Sequence, residues 1–484
     1  MEANRKHGKT IKIYQNENKI LSSLKEAIQK VGLKDGMTVS FHHHFREGDY
    51  TLNLVMDEIA KAGIKDITLF PSSLGKIHEP LIDHIKNGVV TEIHTSGLRG
   101  KLAEFISGGG LAKPLTIRSH GGRARAIEAG EVKIDVAFLA VPSTDDMGNA
   151  SGVGANTKCG SLGYAMVDAA NADQVVLLTD DIRPYPNMPA SIKQQEVDYI
   201  VKLDVIGDPD GIASGATRYT KNPKELKIAE QAASVIRALP YYKDQFSFQT
   251  GSGGSALAVT RYLKQNMVED GIKASFALGG ITQPIVELLE EGLVGHLFDV
   301  QCFDLIAANS ILTNPNHHEI SASEYANPSS GGCVASKLDY VILSALEVDR
   351  DFNVNVMTGS DGVIMGASGG HCDTAESAKV TIIVAPLYRG RIATIVDRVT
   401  SIITPGRCVD VVVTERGIAV NPNRKDILEH LSKTNLPVVE METLIAMAKS
   451  IVGEAEAIEF TDRVVAKIEY RDGSIIDAIY QRKA

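Results

Sequence analysis

The stretch KIDVAFLAVPSTDDMGN, Lys133 to Asn149, lies without a gap on KLDYVILSALEVDRDFN, Lys337 to Asn353, with Asp135 on Asp339, Asp145 on Asp349 and Asn149 on Asn353. Both begin as a continuous apolar run, the mark of a parallel strand covered on both faces, and both break into an acidic loop. A second echo precedes each. VSFHHHFREG (Val39 to Gly48) leads through a helical window to AGIKDITLF (Ala62 to Phe70), and FSFQTGSGG (Phe246 to Gly254) leads through another to DGIKASFAL (Asp270 to Leu278). Two matching blocks in the same order predict an α/β protein of two tandem open-sheet domains related by internal duplication. Their junction is expected near Asn222, in GATRYTKNPKE, giving an N-terminal domain over 1–222 and a C-terminal domain over 223–484. RVVAKIEYRDGSIIDAIYQ, Arg463 to Gln481, reads as a β-hairpin turning at Asp472-Gly473 and closing the C-terminal domain.

A chain of 484 residues is long enough for two or more such cores. Fifty Lys and Arg against 60 Asp and Glu leave a formal charge of −10, so the surface repels polyphosphate and nucleic acid is not an expected partner. Five cysteines stand far apart with no CxxC pair, which argues against a metal site or a disulfide framework and for a reducing compartment. Met1 to Gln15 has basic residues but no apolar signal-peptide core, and no later stretch approaches membrane-spanning length. A cytoplasmic protein without membrane contact is expected.

In doubly wound sheets, ligands sit at the carboxyl ends of strands, where loop N–H groups and helix N-termini face them. Five strand-to-helix loops qualify: FHHHFREGD, TSGLRG, SHGGRAR, TGSGGS and GSDGVIMGASGGHCD. His42, His43 and His44 are consecutive, so in extended backbone the outer two face one way and His43 the other. With Arg46 beside them and no thiolate or carboxylate set, they suit carboxylate recognition better than a metal. Ser96, Gly97, Arg99, His120 and Arg123 extend this anion-binding set, each arginine able to fork onto a carboxylate. TGSGGS has the setting of a phosphate loop but lacks the GxxxxGK[ST] lysine and GxGxxG spacing, which disfavours a nucleoside triphosphatase or dinucleotide site. Gly251, Ser252, Gly253 and Gly254, with Ser360, Asp361 and Gly366, are assigned to a thioester arm; a turn that packs helix on strand is the plain alternative. In GASGGH, Ser368, Gly369, Gly370 and His371 offer convergent donors for the oxyanion of an attacked thioester. With no GxSxG elbow in the chain, a Ser or Cys acyl-enzyme is not expected.

Together, FHHHFREGD, TSGLRG, SHGGRARAIEAGE, DVAFLAVPSTDDMGNASG, GATRYTKNPKELKIA, FALGGIT and TGSDGVIMGASGGHCDTA resemble the citrate lyase alpha chain family from about Leu21 to the C-terminus. More distantly, the paired strand-loop blocks are similar to the two halves of coenzyme A transferases. The resemblance implies two CoA-transferase-like domains with the active site between them. It implies a transferase that exchanges acetyl for citryl on the thioester of an acyl carrier protein, releasing acetate. The partners implied are citrate, the carrier (gamma) subunit, a beta subunit that cleaves the citryl thioester, and further copies of this chain within a larger complex. The phosphoribosyl-dephospho-CoA arm that bears the acyl group belongs to the carrier, so no cofactor is bound covalently here. Members of the family often carry a longer N-terminal arm, whose partner contacts are not expected to carry over unchanged. A CoA transferase acting on free acetyl-CoA and another carboxylate, a malonate decarboxylase alpha chain and a non-catalytic scaffold are the alternatives.

Ordinary coenzyme A transferases place a glutamate nucleophile at the end of the strand that follows the glycine loop and its helix. Here that position falls in SFALGGITQ, Ser275 to Gln283, where Gly279 and Gly280 stand and the next carboxylate is Glu287. Citrate's own carboxylate, ionised at pH 7, is therefore expected to attack the acetyl carbonyl directly and give a mixed anhydride. Glu324 and Glu347 are the rival nucleophiles.

Overall fold

Runs of β-branched residues build two large sheets in a computed structural model that describes residues 8–9, 18–213, 220–251, 253–454 and 456–483. The first sheet holds β1 (Ile20–Leu21), β2 (Thr38–Phe41), β3 (Ile67–Pro71), β4 (Val90–Thr95), β5 (Leu115–Arg118), β6 (Val136–Ala140), β7 (Gln174–Thr179) and β8 (Tyr199–Lys202). These strands are all parallel, in the order β1-β8-β7-β6-β2-β3-β4-β5. The second sheet holds β9 (Phe246–Thr250), β10 (Ala274–Ile281), β11 (Val294–Cys302), β12 (His317–Glu319), β13 (Tyr340–Ser344), β14 (Val380–Val384), β15 (Val411–Val413) and β16 (Ile418–Val420). Its order is β12-β11-β10-β9-β13-β14-β15-β16, with only the last pair antiparallel. From β8 to β5 and from β15 to β12 the two sheets therefore run through the same sequence of crossovers.

The aligned acids make matching bonds. Asp135 accepts the Thr38 N–H at 2.8 Å and Asp339 accepts the Ser247 N–H at 2.9 Å, each tying a central strand to its neighbour. Asp145 accepts the Asn149 N–H at 3.0 Å and its side-chain amide at 2.8 Å; Asp349 does the same for Asn353 at 2.9 and 3.2 Å. Such acidic loops satisfy their own backbone donors, which is why both blocks turn sharply after the strand.

The C-terminal hairpin departs from expectation. Its strands β17 (Phe460–Glu469) and β18 (Ile475–Arg482) extend the first sheet, with β17 parallel to β5 and Ala466 opposite Leu115. An exposed β5 edge would leave a row of unpaired backbone groups; the hairpin covers it, buries Val465, Ala466 and Ile468 in the first core, and pairs Glu469 with Arg118 at 2.7 Å. The chain thus returns to its first half after completing the second. At the expected junction, residues 214–219 lie outside the described part, and Asn222 caps the helix Pro223–Ala238 by accepting the Lys224 N–H at 3.0 Å. Most of the Met1 to Gln15 stretch also lies outside it. Among the described residues no helix is long and apolar enough to cross a membrane, and all five cysteines are buried and free.

Candidate active site

Loops at the carboxyl ends of the first sheet dock on those of the second. After β4, Gly97 bridges to Ala367, the Leu98 N–H donates to Gly366 at 3.2 Å, and Ser96 accepts the Ser368 N–H at 2.7 Å. After β5, the His120 N–H donates to the Gly369 carbonyl at 2.8 Å, while Asp373 accepts from the Ser119 hydroxyl at 2.7 Å and the Gly121 N–H at 2.8 Å. After β2, the His43 carbonyl accepts from the Gln301 side chain at 3.1 Å.

The three histidines do not alternate as expected: the strand ends at Phe41, the chain turns at His44, and the rings cluster, with His43 stacked on His44 and both against Tyr164. His42 and His44 are buried, 2.8 Å apart at their Nδ1 atoms, and bond to the carbonyls of Ala140 at 2.8 Å and Val300 at 3.4 Å. They are structural, because every ring nitrogen is occupied within the protein. His43 is half-buried, with Nδ1 on the Ser72 hydroxyl at 2.5 Å, and stacks on Tyr164, His120 and His44. His120 lies 4.5 Å from the Tyr164 ring, and its Nδ1 has no partner among the described residues. Burial is the first cause that holds these rings neutral: His43 sits well below the usual histidine value, with His120 next among the causes, and His120 is pushed down to about 3, with Arg123 adding to the effect. They meet an anion as hydrogen-bonding groups.

Arg46 and Arg99 supply the charge. The Arg46 guanidinium stacks on Phe303, 4.7 Å from the ring centre, and donates to the Ile212 carbonyl at 3.2 Å; burial and then the nearby Arg99 charge bring it down to about 10. Arg99 precedes the helix Gly100–Ser107, exposed, with no carboxylate within ion-pair distance among the described residues. Two guanidiniums close enough to repel, with the Glu47 carboxylate acting on both, make a cationic patch suited to a polyanion. Arg123 does not belong to it. It forks onto Asp168 at 2.6 and 2.9 Å, donates to the Phe70 carbonyl at 2.9 Å and is buried, so its charge is already spent.

A family model for citrate lyase, alpha subunit (CitF), matches residues 17–482. The chain belongs to the citrate lyase alpha subunit family. A citrate lyase alpha chain from Haemophilus influenzae is 58% identical over 467 residues, 96% of this chain and 93% of that one. The solved alpha subunit of citrate lyase from Streptococcus mutans, in complex with citrate, is 59% identical with a TM-score of 0.98, covering 100% of this chain and 95% of that chain. A Pseudomonas malonate decarboxylase hetero-tetramer in complex with malonate shares the fold at a TM-score of 0.67 and 15% identity, over 91% of this chain and 84% of that one. That distance shows a common architecture alone, so the malonate decarboxylase alternative gains nothing from it.

In this chain the glycine loops separate into those that face the cleft and those that build it. Gly369 and Gly370 are half-buried, and their N–H groups have no backbone partner among the described residues. The Ser96 hydroxyl is buried and unpartnered beside them. His371, expected as a further donor, is committed instead: Nδ1 to Thr404 at 2.7 Å and Nε2 to the Ser344 carbonyl at 3.1 Å, with burial holding it down to about 4. Gly366 is fixed at both ends, donating to the Met357 carbonyl at 3.0 Å and accepting from Leu98, so it joins the halves rather than holding a thioester arm. Ser360 and Asp361 sit on an outer turn that Asp361 closes by accepting the Val363 N–H at 3.1 Å, with the neighbouring Gly362 against Phe460. Gly251 continues β9 by donating to Ile342 at 2.7 Å, and Gly253 and Gly254 open the helix Gly254–Asp270; Ser252 lies outside the described residues.

Gly279 has φ +115°, and a Cβ there would come within 2.7 Å of the Gln249 side chain; Gly280 lies under the Phe303 ring. The rival carboxylates are occupied. Glu287 accepts from Gln283 at 2.8 Å on its own helix, Glu324 accepts the Ser321 N–H at 2.8 Å as a helix cap, and Glu347 accepts from Asn355 at 2.8 Å and from the N–H and hydroxyl of Thr400 at 2.8 and 3.1 Å. Ser72, Tyr164, Gln249, Gln301, Phe303 and Tyr325 join the site without having been expected. The signal available was a glutamine at the end of an apolar strand, in FSFQT and FDVQC, where a neutral polar residue breaks a run that otherwise reads as core.

Proposed function

We propose that the chain is the transferase that turns acetyl carrier protein and citrate into citryl carrier protein and acetate, in one ternary complex. A citrate carboxylate attacks the acetyl carbonyl; the C–S bond breaks, the carrier thiolate leaves, and an acetyl-citryl anhydride remains. The thiolate then attacks the citryl carbonyl, the anhydride C–O bond breaks, and acetate departs with the electron pair. No proton transfer is required, since the nucleophile is ionised at pH 7. Arg46 and Arg99 neutralise the citrate carboxylates, His43 and His120 hydrogen-bond to them, and the N–H groups of Gly369 and Gly370 receive the oxyanion.

The observation that carries this is the absence of an available carboxylate where a covalent transferase needs one: Gly279 stands there, its side-chain space taken by Gln249. The acyl donor in this reading is the carrier's phosphoribosyl-dephospho-CoA arm, and the partners are the gamma carrier and a beta subunit that cleaves the citryl thioester, in a cytoplasmic complex that contains further copies of this chain. Incubation with acetyl carrier and citrate, followed by borohydride or hydroxylamine and intact-mass measurement, is expected to leave the chain unmodified during turnover. A glutamyl adduct would refute the direct attack.

A further inference from the structure

We propose that Tyr325 is a catalytic hydrogen-bond donor to the oxyanion of this transfer, and that Gln249 is the residue that positions it; the proposal rests on the acyl transfer given above. Gln249 Nε2 lies 3.0 Å from the Tyr325 hydroxyl, and its Oε1 is buried with no partner among the described residues. A side-chain amide has both donor and acceptor ends, and a phenol has one proton. With the amide nitrogen toward Tyr325, the phenol proton is left over; with the amide turned, Tyr325 donates to Oε1 and the NH2 group is left over. Either arrangement leaves the pair with at least one unspent donor.

Two glycines make room for the pair. The Gly279 backbone, at φ +115°, passes where only a residue without Cβ leaves space for the Gln249 amide, and a Cβ on Gly370 would collide with the Tyr325 hydroxyl. That hydroxyl therefore sits against the same residue whose N–H has no backbone partner among the described residues, which places a side-chain donor next to a backbone donor. Burial pushes the Tyr325 phenol well above its ordinary value, which keeps the proton in place.

The test is kinetic, on the full chain with acetyl carrier protein and citrate. Tyr325→Phe is expected to lower kcat about 100-fold, the cost of one oxyanion donor, with the citrate KM within about twofold and an unchanged thermal melt. Gln249→Leu should lower kcat about tenfold, since the donor stays but is no longer aimed. Gly370 has φ −98° and ψ 16°, which alanine can adopt; Gly370→Ala should match Tyr325→Phe alone and cost less than about threefold when added to it. A Tyr325→Phe enzyme with kcat within threefold of the parent, a loss carried in KM, or fully additive losses would overturn the proposal. An inert parent chain with an intact carrier would instead refute the transfer reaction itself.

Discussion

Arg99 and Arg123 look alike in the sequence, both arginines in glycine-flanked loops, and the structure gives them opposite roles that one pair of substitutions separates. Arg123→Met removes the cation that forks onto Asp168, whose side chain is 0% exposed, and leaves a buried carboxylate alone. Breaking a buried pair from one side costs about 3–5 kcal/mol, so the melting temperature should fall on the order of 10 °C. Removing the stranded charge as well, in Arg123→Met/Asp168→Asn, should recover more than half of that loss. Arg99→Met leaves no charge stranded and should melt with the parent. Its loss appears in binding: a charge-assisted hydrogen bond to a citrate carboxylate is worth about 1.5–3 kcal/mol, which raises the citrate KM roughly 10- to 100-fold. Differential scanning fluorimetry and citrate titrations of the transfer rate measure both. An Arg123→Met protein that melts with the parent but loses citrate affinity, or an Arg99→Met protein that keeps the parent's KM, refutes the assignment.

Stability should fall in mild acid. His120 and His371 are held to about 3 and about 4, below the ordinary 6.5, so from pH 6.5 downward the unfolded chain binds protons that the folded chain refuses. Stability is whole above pH 6.5 and drops by about 1.4 kcal/mol per pH unit for each ring until the folded value is reached; equal urea midpoints at pH 7.5 and 5.5 would contradict this. Glu347→Gln should keep kcat within about threefold while losing about 1 kcal/mol, because the two charge-assisted N–H bonds to one oxygen become neutral and the Thr400 hydroxyl must turn to accept from the new amide. Abolished transfer in a folded Glu347→Gln protein would return that residue to the role of nucleophile.

The α/β class with two large sheets was legible because KIDVAFLAV and KLDYVILSAL are long, apolar and repeated, and a two-sided strand has few other ways to bury itself. The alternation expected of His42, His43 and His44 did not hold, because the strand ends at Phe41 and the chain turns at His44, which brings His43 and His44 against one Tyr164 ring. What else failed depended on partners remote in sequence. Arg123 meets Asp168 45 positions away, and Glu469 reaches Arg118 across 351 positions. The hairpin's alternating pattern marks it as a strand pair without naming the edge it covers. Glycine was misleading in one respect. Density of glycine marked GASGGH as an oxyanion loop as a whole, yet Gly366 packs against the Val356 carbonyl and Gly370 against the Tyr325 hydroxyl, a difference set by what stands opposite each.

His120 shows why a neutral ring suits this site better than a third fixed cation. Before citrate arrives, the Arg99 charge already disfavours that of Arg46, and another permanent cation would add to that repulsion. An imidazole held at about 3 adds no such cost. A citrate carboxylate beside the ring favours its protonated form, so the His120 value rises from about 3 on binding. Because the pKa rises on binding, the bound form takes up a proton, and citrate should bind more tightly as pH falls. Isothermal calorimetry in buffers of different ionisation enthalpy should therefore find more proton uptake at pH 6 for the parent than for His120→Gln, and no difference at pH 8. Equal uptake by the two proteins at pH 6 would mean that no citrate carboxylate reaches the ring, and the anion site would then be Arg46 and Arg99 alone.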